Sequence, residues 1–139
     1  MIQKHAEEYL GAIFRLRKGC EDPLPLTFLQ TYFGFSPISI HEMVQKLEEQ
    51  GYLVYIPYRG VLLSRAGEQV AAALVRRHRI WERFLTDMLT IPAENVHQVA
   101  DQLEHAAPEL VTERLSLMLG QPDACPHGSL IPAGKGENG

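Results

Sequence analysis

Residues 36–64, SPISIHEMVQKLEEQGYLVYIPYRGVLLS, decide the fold of the first half of the chain. Ser36 is a good N-cap, and Pro37 suits the first helical position, where its missing N–H leaves no hydrogen bond unmade. The apolar residues that follow recur at helical spacing, at Ile40, Met43, Val44 and Leu47. Gly51 is a natural helix end, so the stretch predicts a helix from Pro37 to Gln50.

A β-hairpin is predicted directly after this helix. Residues 52–57 and 61–64 are rich in Val, Ile, Leu and Tyr, and Tyr-Arg-Gly at 58–60 lies between them. Before the helix, residues 26–32 form a short apolar helix candidate, followed by Gly34. Two short helices joined by a Gly-containing turn form a helix-turn-helix, and a hairpin behind it makes a winged helix.

Further helices are predicted on both sides of the winged helix. Residues 3–18 carry an apolar stripe of helical spacing that Gly19 ends. A long helix follows Arg65, and shorter helices are predicted at 95–107 and 109–119, with a loop tail from Gly120 onward. The apolar or inward positions are Val70, Leu74, Arg77, Trp81, Leu85 and Met88 on the long helix, Val96, Val99, Ala100 and Leu103 on the next, and Leu110, Val111, Leu115 and Met118 on the last.

We therefore predict a mainly α protein with a small β-hairpin wing. A winged helix-turn-helix domain is expected at residues 1–65 and a helical domain at 66–139.

The 139 residues, 45% apolar and 22% charged, fit one or two small ordered domains and exclude a large multi-domain enzyme. No apolar run approaches the length of a membrane span, and MIQKHAEEYL lacks a signal-peptide pattern, so we expect a cytoplasmic protein without a membrane partner.

The net charge of −4 hides an asymmetry along the chain. Residues 1–83 carry a net charge of +2, whereas residues 84–139 carry −6. A mildly basic front half and an acidic back half suit a protein that contacts an anion with one end and binds cations with the other.

The densest set of candidate ligands lies in the acidic half. His97, Asp101 and His105 recur every four residues, and Glu104 lies beside them, so we expect all four on one face of a helix. Imidazole and carboxylate donors suit a borderline-to-hard divalent ion such as Mn(II), Fe(II) or Zn(II). His78 and Glu82 repeat the spacing on the long helix. Because one helix rarely encloses a metal, Glu8 on the first helix is a further candidate.

Other readings of these residues remain open at this point. Charged residues on one helix face are often simply solvated, and a catalytic role would need a motif such as HExxH or a nucleophile elbow, which the chain lacks. Cys20 and Cys125 are too few and too far apart for a disulfide framework or a paired-thiolate site, so free thiols are expected. His5 and His127 have no partner at a useful spacing.

The second helix of the helix-turn-helix is the candidate DNA-contacting element. Polar side chains on such a helix can reach base edges while a wing arginine meets phosphate. The candidate residues are Ser36, Ser39, His41, Glu42, Gln45 and Lys46 on the helix, with Arg59 on the wing. Winged helices also serve as protein-interaction modules, and Glu42 beside a single lysine is a poor electrostatic footprint for DNA.

Six segments of the chain resemble one family in the same order and spacing. They are EEYLGAIFRL, SPISIHEMVQKLEEQGYL, PYRGVLLSRAGE, RRHRIWERFL, ADQLEHAAPELVTERL and CPHGSLIP. Across residues 6–132 they are similar to the diphtheria-toxin-repressor and manganese-transport-regulator family of metal-dependent repressors. The resemblance implies a winged-helix DNA-binding domain, a helical dimerisation domain, a homodimer and double-stranded operator DNA as partner.

The resemblance also implies two metal sites. By position, Glu8, Asp101, Glu104 and His105 correspond to the first site, and His78, Glu82 and His97 to the second. Gly11 replaces the glutamate that manganese-type members carry, which puts a binuclear arrangement with that bridging carboxylate in doubt.

These observations lead to one expected function and two of other classes. We expect a repressor, not an enzyme, that senses Mn(II) and controls metal-uptake genes, with Fe(II) as the competing metal, because Asp101 and Glu8 are hard oxygen donors. A winged-helix regulator with an organic effector would need an apolar pocket between the domains and would ignore a chelator. A small metal hydrolase would need an open coordination position and would show turnover.

Overall fold

The computed structural model describes residues 4–17 and 20–134. The helices are α1 (Lys4–Arg17), α2 (Leu26–Phe33), α3 (Pro37–Glu49), α4 (Arg65–Asp87), α5 (Ala93–Leu103) and α6 (Glu109–Met118), and the strands are β1 (Leu53–Ile56) and β2 (Gly60–Leu63). The chain divides into two compact units, Met1–Ala72 and Ala73–Gly139. No helix within the described ranges is long and apolar enough to cross a bilayer.

The first unit is the predicted winged helix. Its core is formed by residues from α1, α2, α3, both strands and the start of α4, including Leu10, Ile13, Leu29, Ile40, Val44, Leu47, Leu53, Val61 and Ala71. Each is at most 2% exposed, and burial of a Leu, Ile or Val side chain contributes about 1.5–3 kcal/mol. The apolar period of the sequence therefore predicted this core correctly, whereas the end that Gly19 was expected to give α1 lies outside the described residues.

The start of α3 confirms its predicted cap. The side-chain oxygen of Ser36 accepts a hydrogen bond from the backbone N–H of Ser39 at 3.2 Å, and Pro37 occupies the first turn. The helix ends at Glu49, and Gly51 follows with a φ of 83°. The left-handed conformation at Gly51 is the one that a side chain would strain.

The wing is an antiparallel hairpin in which Leu53 pairs with Leu63 and Ile56 with Gly60. An isolated bridge joins Val61 to Leu24, with reciprocal backbone hydrogen bonds of 2.9 Å. Gly60 has a φ of 132°, and a Cβ atom there would overlap the carbonyl oxygen of Leu24. The turn end of β2 is thus fixed against the rest of the first unit by a contact that only glycine permits.

Replacing Gly60 with alanine is expected to lower the free energy of unfolding by about 3 kcal/mol, because strain and overlap add. Gly34→Ala is the matched control, since Gly34 also has a positive φ of 72° but nothing within 4 Å of an added Cβ. Urea unfolding of both variants separates the two contributions. Equal losses for the two would mean that the Leu24 contact does not constrain the wing.

In the second unit a small apolar cluster holds α4 and α5 together. Leu85, Val96 and Ala100 are buried, with Trp81, Phe84, Ile91, Val99 and Leu103 packed against them. The predicted inward face of α4 was wrong at Met88, which follows the end of the helix and is 54% exposed. The long helix instead buries three charged side chains, Arg76, His78 and Glu82.

The two last helices differ from prediction at their ends and faces. The predicted helix 95–107 ends at Leu103, so Glu104 is its C-cap and His105 lies beyond it. Helix α6 begins after Pro108 and buries the polar residues Thr112 and Ser116. Its large apolar residues Leu110, Val111, Leu117 and Met118 are 41–68% exposed.

Candidate metal centre

His78 is the centre of the polar cluster in the second unit. It lies on α4 with only 2% of its surface exposed. Its Nδ1 atom is 2.5 Å from Glu104 Oε2 and 3.2 Å from Asp101 Oδ1. Its Nε2 atom is 3.1 Å from Glu82 Oε1 and 3.0 Å from His97 Nδ1. Both ring nitrogens therefore face carboxylates, an arrangement that favours the doubly protonated ring when no metal is present.

The charges of this cluster shift two pKa values. Burial lowers the pKa of His78, but hydrogen bonds to Asp101, Glu104 and Glu82 and the charge of Glu104 outweigh burial and raise it to about 10. Burial raises the pKa of Glu82, but the hydrogen bond and charge of His78, helped by His127 and His97, bring it below its ordinary value. The imidazolium of His78 thus acts as a counter-ion inside an acidic pocket.

The stability of the metal-free chain should depend on pH through both groups. The folded pKa of His78, about 10, exceeds its ordinary value of 6.5, so its stabilisation is complete below about pH 6.5 and is lost as pH rises towards 10. The pKa of Glu82 lies below 4.5, so its stabilisation is lost as pH falls below that value. Urea unfolding in chelator should show less stability at about pH 9 than at about pH 6. Greater stability at the higher pH would contradict the charged state assigned to His78.

The ligand candidates of α5 lie on its exposed side and at its end. His97 and Asp101 have side-chain exposures of 57% and 47%, whereas Glu104 is buried, with 5% of its side chain exposed. The Glu104 carbonyl accepts a hydrogen bond from Arg77 Nε at 2.7 Å, which fixes the end of the helix. His105 Nε2 lies 3.3 Å from Glu104 Oε1. His105 is therefore beside Glu104, although it does not continue the helical face that the spacing predicted.

A second group of donors forms around the other oxygen of Glu82. Glu82, Cys125 and His127 place one ligand atom each within 4.8 Å of one another. His127 Nδ1 is 3.1 Å from Glu82 Oε2. No residue in the described part of the chain makes a hydrogen bond of good geometry to that buried oxygen. A buried carboxylate oxygen without a hydrogen bond, beside an imidazole and a thiol, fits a cation that is bound there.

The prediction that His127 has no useful partner was therefore wrong, and Cys125 was not recognised as a donor. Cys125 is buried, with 4% exposure, while Cys20 is exposed. The available signal was the pair itself, a thiol and an imidazole separated by one residue in a turn-rich stretch. Nothing in the local spacing indicates that the pair meets Glu82, more than forty residues away in sequence.

Two arginines of α4 hold the segment that carries Cys125 and His127. Arg76 makes a double hydrogen bond to Glu113, with N–O distances of 3.0 and 2.8 Å, and a third to the carbonyl of Pro132 at 2.8 Å. Arg79 donates to the carbonyl of Leu130. An isolated bridge between Ala124 and Leu130 closes the loop between them. The predicted loop tail is thus tied to α4 at Leu130 and Pro132 by hydrogen bonds from two arginines.

The donor sets of the two groups differ in softness. His78, His97 and Asp101 place ligand atoms within 4.8 Å of one another, and they offer only nitrogen and oxygen. Glu82 with Cys125 and His127 adds sulfur, a softer donor that suits Fe(II) or Zn(II) better than Mn(II). Both sets fit a divalent ion by type of donor. These two groups do not coincide with the two sites that the family resemblance implies. His78 contacts Asp101 and Glu104, assigned to the first site, and also Glu82 and His97, assigned with it to the second.

Other predicted metal and DNA residues lie in the first unit. Glu8 is on α1, with His5 Nδ1 3.7 Å away, so His5 also has a neighbour that its position alone did not indicate. Its part in a metal site stays a prediction. All the predicted contacts on α3 are exposed: Ser36, Ser39, His41, Glu42, Gln45 and Lys46. The His41 ring meets Tyr55 of the wing edge-on, and exposed Arg59 lies 3.9 Å from Asp22.

Comparison with known proteins places both halves of the chain in one family. A family model described as the iron-dependent repressor N-terminal DNA-binding domain matches residues 1–61. A second, described as the iron-dependent repressor metal-binding and dimerisation domain, matches residues 64–133. The chain belongs to the iron-dependent repressor (DtxR/MntR) family. The resemblance and the fold class predicted from the sequence are thereby confirmed.

Individual members of this repressor family include both iron and manganese regulators. The chain is 32% identical to the iron-dependent repressor IdeR of Mycobacterium tuberculosis over 126 residues, which cover 91% of the chain and 54% of IdeR. It is 42% identical to the regulator MntR of Lysinibacillus sphaericus over 69 residues, half of this chain and 49% of that one. A solved manganese-dependent repressor in complex with manganese superposes with a TM-score of 0.84, 34% identity and 92% coverage of this chain and 58% of that one. The chain thus spans about half the length of several relatives that it matches.

Proposed function

We propose that the protein is a metal-activated transcriptional repressor, not an enzyme, which binds double-stranded operator DNA as a homodimer. The observation that carries the proposal is the buried cluster around His78, where Asp101, Glu104 and Glu82 converge on one imidazole. Glu82 and Glu104 are buried and Asp101 is half-exposed beside them, and acids this close together need a cation between them. A DNA target implies action in the cytoplasm, where operator DNA lies.

Mn(II) is our preferred ion for the cluster around His78. Asp101 and Glu104 are oxygen donors and His78, His97 and His105 are nitrogen donors, a set that suits manganese without favouring it over all later metals. The likeness to a manganese-dependent repressor supports this choice, and the likeness to IdeR keeps Fe(II) as the alternative. The target genes would then be those of metal uptake.

In the metal-free chain His78 holds the acidic side chains together as a cation. When bound, the metal supplies the positive charge in its place. The imidazole must lose a proton to become a ligand, so metal affinity should rise with pH. Glu8 on α1 remains our candidate for linking the first unit to this change. A coupling of about 1–3 kcal/mol would raise operator affinity about 5- to 150-fold.

The homodimer is supported by the apolar face of α6. Leu110, Val111, Leu117 and Met118 expose 41–68% of their surface while the helix buries Thr112 and Ser116. Exposed large apolar side chains grouped on one helix in this way mark an interaction surface. We propose that the face is covered by a second copy of the chain, in keeping with the dimerisation-domain match.

The test of the proposed function is DNA binding under three metal conditions. A labelled duplex selected from a random-sequence pool by the wild-type chain is titrated with Mn(II), with anaerobic Fe(II) and with chelator. We expect tight binding only with metal. Binding that ignores the chelator would favour an organic-effector regulator, and metal-dependent turnover of a substrate would favour a hydrolase.

A second ion is proposed at Glu82, Cys125 and His127. Cys125→Ala should remove one equivalent of bound metal and leave binding at the His78 cluster, because the thiol lies outside that cluster. The matched control is Cys20→Ala, which removes the exposed thiol and should leave the number of bound metal ions and their affinity unchanged. Calorimetric titration with Mn(II) and with anaerobic Fe(II) measures both. If Cys125→Ala binds as many metal ions as the wild type, the proposal of a second ion at Glu82, Cys125 and His127 is wrong.

A further inference from the structure

Tyr58 at the tip of the wing is an exposed aromatic residue with no structural role of its own. Its relative exposure is 104%, so the ring is entirely in water. It also has a φ of 67°, in the left-handed region that bulky side chains avoid. Because the ring is not buried, it contributes no hydrophobic stabilisation to the fold, and the backbone at Tyr58 is strained as well.

The strain follows from the turn that joins the strands. The carbonyl of Ile56 accepts a hydrogen bond from the backbone N–H of Arg59 at 3.0 Å, which closes a four-residue turn. Pro57 occupies its second position, where the ring requires a negative φ. A negative φ followed by the positive φ of Tyr58 is the pattern of a type II turn, whose third position is normally Gly or Asn.

The wing holds Tyr58 in place. The bridge between Leu24 and Val61, with the tight approach of Gly60, fixes β2. The backbone N–H of Tyr55 donates to Glu48 Oε2 at 2.8 Å, which ties β1 to α3, the proposed DNA-contacting helix. The tip is thus carried at a fixed position relative to α3 within the same unit, as a contact residue requires.

We propose that Tyr58 contacts the sugar-phosphate backbone of DNA, with its hydroxyl donating a hydrogen bond to a phosphate oxygen and its ring covering the sugar. This inference rests on the proposed function. The neighbouring Arg59 is 61% exposed and has a carboxylate, that of Asp22, only at 3.9 Å in water, so its charge is available to the same anion. A hydroxyl donor beside a guanidinium matches phosphate, and such contacts carry no sequence information.

The test uses four variants of the full chain. Tyr58→Ala removes hydroxyl and ring, Tyr58→Phe removes the hydroxyl alone, Tyr58→Gly removes the side chain and relieves the strain, and Arg59→Gln removes the charge. Each is titrated with Mn(II) against the duplex selected by the wild-type chain and against an unrelated duplex, over a range of salt. Thermal unfolding and Mn(II) uptake are measured on the same samples.

We expect Tyr58→Ala and Tyr58→Gly to lose about 3- to 10-fold in affinity for both duplexes, and Tyr58→Phe a smaller part of that. The salt dependence should stay unchanged in the Tyr58 variants and should fall by about one unit of log–log slope in Arg59→Gln. Tyr58→Gly should unfold at a temperature no lower than the wild type, which separates contact from stability.

Two results overturn the inference in different ways. If the wild type binds DNA and the Tyr58 variants bind as well as it does, or lose affinity for the selected duplex alone, Tyr58 is not a backbone contact and the proposed function stands. If the wild type binds neither duplex in Mn(II), the proposed function and this inference both fail.

Discussion

Replacing Asp101 with alanine is expected to abolish the metal-dependent gain in DNA affinity while leaving the fold intact. Asp101 Oδ1 lies 3.2 Å from His78 Nδ1, and 47% of the side chain is exposed, so its removal takes away a ligand without opening a cavity. The full gain, about 5- to 150-fold, should disappear. Fluorescence anisotropy with the selected duplex, in Mn(II) and in chelator, measures it.

Glu94→Ala is the matched control for Asp101→Ala. Glu94 is an exposed acid on the same helix, in its first turn, with no place in the metal cluster. The Glu94→Ala variant should show the same Mn(II)-dependent gain in DNA affinity as the wild type. Both variants should retain the wild-type helical circular dichroism. A wild-type response in Asp101→Ala would mean that the metal site lies elsewhere.

Replacing His78 with leucine is expected to destabilise the metal-free chain by about 3–5 kcal/mol, because it leaves Glu82 and Glu104 buried without their counter-ion. Both carboxylates have side-chain exposures of 4–5%. The variant should also lose metal activation, since His78 contacts Asp101 and Glu104 on one side and Glu82 on the other. Urea unfolding in chelator gives the stability, and anisotropy gives the activation.

A rescue experiment separates charge from packing in this prediction. Glu82→Gln and Glu104→Gln, added to His78→Leu, should restore much of the stability, because neutral amides do not repel each other. They should not restore metal activation. If stability stays as low as in His78→Leu alone, the loss comes from packing, and the counter-ion role of His78 is wrong.

The first unit could be predicted from the sequence because its signals are local. Ser36 and Pro37 start α3, Gly51 ends it, and alternating β-formers follow, so each element is set within a few residues of its own marker. The charged face of α3 and the wing arginine followed directly from the same stretch.

The second unit was less predictable because its determinants are distant or misleading. The approach of Cys125 and His127 to Glu82 depends on Arg76 and Arg79, which no periodicity connects to residues 124–132. The apolar residues of α6 suggested an inward face, yet the helix buries Thr112 and Ser116. An apolar face that serves an interface has the same sequence pattern as one that serves a core.

The position of His105 illustrates a related limit. A spacing of four residues placed it on one face with His97 and Asp101, but α5 ends at Leu103 before it. Pro108 disfavours helical backbone at the residue before it, and the chain leaves the helix several residues earlier through turns at 104–106. The ligand types were therefore predictable, whereas the geometry that groups them was not.

Calorimetric titration of Mn(II) into the demetallated chain, with and without the selected duplex, tests the central claim most directly. We predict stoichiometric uptake that the duplex tightens by the same factor by which Mn(II) tightens DNA binding, because linkage is reciprocal. No uptake of Mn(II), and none of Fe(II) under anaerobic conditions, would contradict the claim that a divalent ion controls this protein.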